Sequence, residues 1–373
     1  MESAQVVQKL RESCETAAAI RAVVRLLPIG GAGEKLFPPT YEKGQYATER
    51  RIIEGKTVDT VLLDSVQSQA NRLEDALLRA FLRRQCDIPV LGIEIPGHGL
   101  ITTLDAPHRI SDAIFRDSLW DGLPMRKSPN GRRIIAARAN DATAFYEFCP
   151  TALLFGTWDS QGGQGLMGAR IARSLVSEIV GLNAVRGRRT SSRIDPLGIR
   201  ADAATIYRSA TDTWTLDEAN ALKESGRPKL FGEKGKPSEI NHGNVTPTIT
   251  AEDGPGGVTI SEAIQTTVIS FAQLRRLSFP DDKGKRSEER DLAGRTVLAA
   301  LGLYAVALQW ADGYQLRSRC QLLPMSAPGF EFVGTTMSEI EAFSLDVKSA
   351  KAAFDQCREH AESLVLGWRS GLV

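Results

Sequence analysis

Glycines and arginines crowd the stretch from Phe155 to Ile199, FGTWDSQGGQGLMGARIARSLVSEIVGLNAVRGRRTSSRIDPLGI. A run containing Gly163, Gly165 and Gly168 leaves backbone N–H groups uncovered, and Arg170 and Arg193 follow it with guanidinium groups. Amides and guanidiniums gathered this way suit phosphate oxygens, of a nucleotide or of a polynucleotide. The spacing predicts a glycine turn opening into an amphipathic helix over Ala169–Val180. Ile171, Ala172, Leu175, Val176, Ile179 and Val180 would fill one face, with Gly181 as C-cap. Gly163–Gly168 also fits GxGxxG in form. A dinucleotide site needs a strand tight against the first glycine and an acid about 20 positions on, and the chain has neither. Glycines that merely allow close helix packing are the plain alternative.

A second constellation lies at Asp64–Arg72, DSVQSQANR. Thr57–Ser65 is β-branched and apolar enough for a buried strand, and a helix starts near Val66. Ser65, Gln67, Ser68, Asn71 and Arg72 would then stand at the positive end of that helix, where a phosphate fits. Equally, Asp64 as N-cap with Gln67 three residues later reads as a capping-box variant. Tyr314–Leu322 alternates, which places Gln315, Arg317, Arg319 and Gln321 on one face of a strand; a solvated face is the bland alternative. Arg193 could likewise serve an ordinary turn at Asp195-Pro196.

Catalytic signals are poor. The chain has no GxSxG, no HExxH, no complete Walker A and no His/Cys ligand spacing, and His98, His108, His242 and His360 are isolated. Asp159 and Asp195 lie near the phosphate track and offer the one route to a metal-dependent nuclease. Otherwise the reading is of no enzyme, no cofactor and no metal. The five cysteines are scattered without a CxxC pair, which fits a reducing compartment and supports neither zinc nor disulfides. The net charge of +1 argues against a wholly basic surface, yet Arg170–Arg200 is locally cationic. No signal-peptide profile opens the chain, and the apolar run Val297–Trp310 is shorter than the roughly 18 residues of a membrane span. A soluble, cytoplasmic protein with no membrane partner is expected.

The elements that must position these residues are mixed. Ala4–Leu27 has helical spacing, a helix carries Val66–Phe81, and Val90–Ile95 and Leu100–Leu104 flank a Pro96-Gly97 turn. Asp121–Arg133 reads as an exposed basic connection and Thr151–Trp158 as a strand. Lys223–Gly257 is a flexible insertion by composition, Leu292–Trp310 a helix, and residues 326–373 a helical C-terminal part. Strands alternating with helices without a fixed period predict an α+β fold.

Several segments together resemble a known family. DSVQSQANRLE, FGTWDSQGGQGLMGARIARSLVSEIVG, SSRIDPLGI, SEINHGNVTP, LRRLSFP and GYQLRSRCQLLP occur in the order and approximate spacing of the backbone subunit of type I-U (I-G) CRISPR interference complexes, in the RAMP superfamily. The resemblance runs from about residue 48 to 325. Met167 stands where a more glycine-rich sequence is expected, and Arg170 replaces a lysine while keeping the charge. The resemblance implies one RAMP-type domain over residues 1–373, with an RRM-like (ferredoxin-like) core and large insertions called palm, fingers and thumb. Lys223–Gly257 is one candidate for the thumb. It also implies a non-catalytic scaffold whose copies stack in a helical filament on CRISPR RNA beside other subunits, presenting the guide to target DNA. Ser65, Gln67, Ser68, Asn71 and Arg72 become favoured RNA contacts, followed by the glycine turn and Arg193.

Overall fold

The computed structural model describes residues 2–159, 168–249, 254–369 and 371–372. Helices and antiparallel strands make an α+β fold whose chain divides into two compact units. The larger unit comprises Met1–Pro39, Ala47–Ala184 and Ile260–Val373.

Its centre is a sheet of nine strands: β1 (Ala19–Pro28), β2 (Thr48–Ile53), β3 (Lys56–Asp64), β4 (Leu175–Leu182), β5 (Glu262–Ser270), β6 (Tyr314–Arg317), β7 (Cys320–Pro324), β8 (Phe330–Val333) and β9 (Ile340–Phe343). The order is β2-β3-β4-β5-β1-β7-β6, with β8 on the other end of β1 and β9 beyond it. Every pairing in this sheet is antiparallel. Four long helices accompany it: α1 (Ser3–Thr16), α2 (Val66–Leu82), α3 (Glu288–Asp312) and α4 (Val347–Ser363).

Helix α3 is apolar nearly all round because it is the core helix, and Gly302 lets it approach Ile269 and Leu175 of the sheet. Strand β1 alternates as a half-buried strand should. Ile20, Ala22, Val24 and Leu26 face inward, while Val23 and Leu27 face out. The predicted helix over Ala4–Leu27 therefore ends at Thr16, since the apolar period changes to two after Ala17.

The larger correction falls on Ala169–Val180. That segment is not a helix: Arg170–Ile171 is half of a two-residue ribbon, and Leu175–Leu182 is a central strand paired on both sides. The strand alternates at its start, where Val176 is exposed between buried Leu175 and Ser177, and is buried on both faces only from Ile179 on. Its apolar positions therefore also fit a helix face in a short window. Thr151–Phe155, expected in a strand, is helical, and only Thr157–Trp158 is extended. Pro129–Ala136, within the stretch read as a loose connection and just beyond it, is a helix capped by Ser128. Tyr314–Leu322 is a hairpin rather than one strand, with Arg319 at φ 57° in its turn. Two strands, β8 and β9, precede α4 in the C-terminal part.

The smaller unit comprises Thr40–Tyr46 and Val185–Thr259, so the excursion begins well before the compositional change at Lys223. Short ribbons dominate it, the longest pairing Thr190–Arg193 with Val245–Ile249. Asp195 is its internal anchor, accepting from the amides of Leu197 (2.9 Å) and Gly243 (2.7 Å). The Tyr46 hydroxyl accepts from the Gly257 amide at 2.9 Å, which ties the two segments together.

Candidate nucleic-acid interface

The site is built around the junction of β3 and α2. A bulge in the β3–β4 pairing places one extra residue on β3 between Leu62 and Asp64. Leu63 and Asp64 are both buried there. Asp64 is wholly buried and serves as a hub. It accepts from Ser68 Oγ (2.7 Å), Gln69 Nε2 (2.6 Å) and Arg72 Nε (2.8 Å), with Arg317 Nη2 at 3.7 Å. One carboxylate and two guanidiniums leave the junction net positive. Ser65, not Asp64, is the N-cap, accepting from the Ser68 amide at 3.2 Å.

Gln69 extends this hub inward. Its Oε1 accepts from Ser177 Oγ and Gln265 Nε2, both at 2.9 Å, and Gln265 Oε1 accepts from the Tyr314 hydroxyl at 2.7 Å. Those bonds fix the first turn of α2 to β4, β5 and β6.

Beside that first turn runs a groove of about 900 Å³. Gln67 and Asn71 line it from α2, and Trp158, Arg170 and Arg173 from the other wall. All five are exposed. Among the described residues, the side chains of Gln67 and Asn71 have no hydrogen-bond partner, and Arg170 and Arg173 have no carboxylate partner. Arg116, also on the wall, is paired to Asp117 at 2.7 Å, and that hydrogen bond holds the Asp117 carboxyl below the ordinary carboxylate range.

Arg109 braces the two walls. It makes a bidentate pair with buried Glu74 of α2, both bonds 2.7 Å, and donates to the Gly156 carbonyl at 3.1 Å. Gly156 has φ +80°, and a Cβ there would meet Arg173 Cγ at 2.9 Å, so glycine lets the chain turn into the far wall.

The expected site residues divide by what holds them. Gln67, Asn71 and Arg170 meet in the groove, with donors unclaimed among the described residues. Ser65, Ser68 and Arg72 lie beside it but are engaged, Arg72 also donating to the carbonyls of Gln315 and Leu316. Arg317 approaches Asp64, so it belongs to the hub rather than to a solvated sheet face. Arg319 is separate: its guanidinium stacks over Phe37 at 4.2 Å. Gly163 and Gly165 lie outside the described residues. Gly168 is buried against the Asp159 carbonyl and opens no helix, so the dinucleotide reading loses the helix it requires. Arg193 belongs to the smaller unit, 3.6 Å from Asp195.

The two acids considered for a metal are both occupied. Asp159 takes two 2.9 Å contacts from Arg126. Burial pushes the Asp195 carboxyl up, but the amides of Leu197, Gly243 and Ile199 and the Arg193 charge outweigh it and hold the group below the ordinary range. Among the described residues, no three His, Cys, Asp or Glu side chains cluster as a metal site. All five cysteines are buried, and burial pushes the Cys14, Cys86 and Cys357 thiols up to about 12.

Sequence reasoning missed Trp158, Arg173, Arg109 and Asp64's hub role. The first two carried a signal, because an aromatic and two arginines flank the glycine run. The others depend on partners that only the fold brings close.

No curated protein matches the chain. Residues 20–186 match the family described as CRISPR-associated protein GSU0053. The match spans less than half of the chain but includes every groove residue named above. It supports a CRISPR-associated protein.

Proposed function

We propose that the chain is a non-catalytic RNA-binding backbone subunit of a type I-U/I-G CRISPR interference complex, in the RAMP superfamily. Several copies line up along the guide RNA and, with other subunits, present it to target DNA. One observation carries the reading: amide and guanidinium donors from two separate segments, unclaimed among the described residues, converge on one open groove. Such donors hold a sugar-phosphate chain with little reading of base edges. The family match over the same segment supports the CRISPR context. An RRM-like core would take β1, β4, β5 and β7, which lie in the order β4-β5-β1-β7, with α2 before β4 and α3 after β5. The β2–β3 pair is then inserted between β1 and α2, and β6 between α3 and β7.

The test is to purify the protein from a native host and sequence the nucleic acid that travels with it. The expected result is repeat-derived RNA of uniform length carrying a ladder of bound copies. In vitro, log affinity for single-stranded RNA falls with log salt at about −0.7 per phosphate neutralised. A flat salt response, or protein free of RNA, overturns the proposal. Mg²⁺-dependent cutting lost on substitution of Asp159 or Asp195 would replace it with a nuclease.

A further inference from the structure

Trp158 is 66% exposed, the most exposed tryptophan among the described residues. A lone exposed apolar side chain is ordinary. Its setting is not. Trp158 stands directly across the ribbon from Arg170, on one face, and both border the groove. The opposite face of the ribbon is fastened down. Thr157 Oγ1 bonds Ser111 Oγ at 2.8 Å, Ile171 is buried, and the next residue, Asp159, is gripped by Arg126. The indole is therefore held outward on a braced support. Among the described residues it has no hydrogen-bond, ring or cation partner.

We infer that Trp158 is a stacking platform for one base of single-stranded RNA, with Arg170 taking the adjacent phosphate. The inference rests on the RNA-binding reading and adds the contact that grips a base rather than the backbone. An aromatic face accepts any base, so the platform adds affinity without reading sequence, and it favours single strands, whose bases are free to leave a stack. Charge complementarity selects RNA over an apolar partner, since the indole stands across from Arg170 and shares the groove with Arg173, neither of which has a carboxylate partner among the described residues.

The experiment uses the full chain and a fluorescein-labelled oligoadenylate. Trp158→Ala weakens binding about 5- to 150-fold, the loss expected for one stacked base. Trp158→Phe loses less. Neither changes the slope of log affinity on log salt or the melting temperature, whereas Arg170→Ala reduces the slope by about 0.7. RNA quenches indole fluorescence in the unaltered chain, and that quenching shrinks in Trp158→Phe. Unchanged affinity of Trp158→Ala beside a weakened Arg170→Ala overturns the platform and leaves the groove standing. Quenching that follows self-association without RNA overturns it in favour of a contact between copies. Failure of the unaltered chain to bind RNA removes both readings together.

Discussion

Two walls of cations, the hub beside the groove and the ribbon side of the groove itself, hold their guanidiniums in opposite ways. In the hub, Arg72 and Arg317 are gathered by a buried carboxylate, and Arg72 also donates to backbone carbonyls. On the ribbon side, Arg170 and Arg173 project from a fastened backbone with no acid to claim them among the described residues. A guanidinium already saturated by protein contributes shape and a standing potential, while an unclaimed one can exchange water and counterions for a phosphate. Only the second kind carries a steep salt dependence, so a count of arginines would mislead about which ones bind.

Asp64→Ala breaks the first wall. It strands Arg72, Arg317, Ser68 and Gln69, and unfolding free energy by chemical denaturation should fall by about 3–5 kcal/mol. A fall under 1 kcal/mol would show that the hub is not structural. The double substitution Arg170→Ala with Arg173→Ala breaks the second wall. Stability should move by no more than about 0.5 kcal/mol, while the salt slope for RNA binding drops by about 1.4. If it destabilised the fold as much as Asp64→Ala does, the contrast between the walls would be lost. Ser65→Ala sharpens the comparison most finely. Loss of the cap should cost about 1 kcal/mol in thermal or denaturant melts, with the salt slope unmoved. A shallower slope would instead make that hydroxyl a phosphate ligand.

The same contrast explains what was legible. The strand ending at Asp64 and the helix from Val66 announce themselves through β-branched residues, a cap and a clean helical period. Ala169–Val180 deceives because Leu175, Ile179 and Val180 are buried whichever period is assumed, and its length of strand is fixed by neighbours far along the chain. Val176, Ile179 and Val180 are β-branched, and that was the available warning. Gln67, Asn71 and Arg170 could be singled out because a helix start and a cation are local features, and all three line the groove. Arg109 was not found, since its partners Glu74 and Gly156 lie 35 and 47 residues away. Arg72 is on α2 as expected, but its pairing with the carboxylate eight residues earlier was not legible.

Leu182 at the end of β4 and Glu262 at the start of β5 are paired neighbours. Everything between them leaves and re-enters the core through a single hairpin mouth. A short turn joining those two strands would keep every partner in the central sheet in place, and would leave Thr40–Tyr46 without the segment that Tyr46 holds. Insertions at such a mouth are free to lengthen, shrink or be exchanged during descent without disturbing the frame that carries the groove.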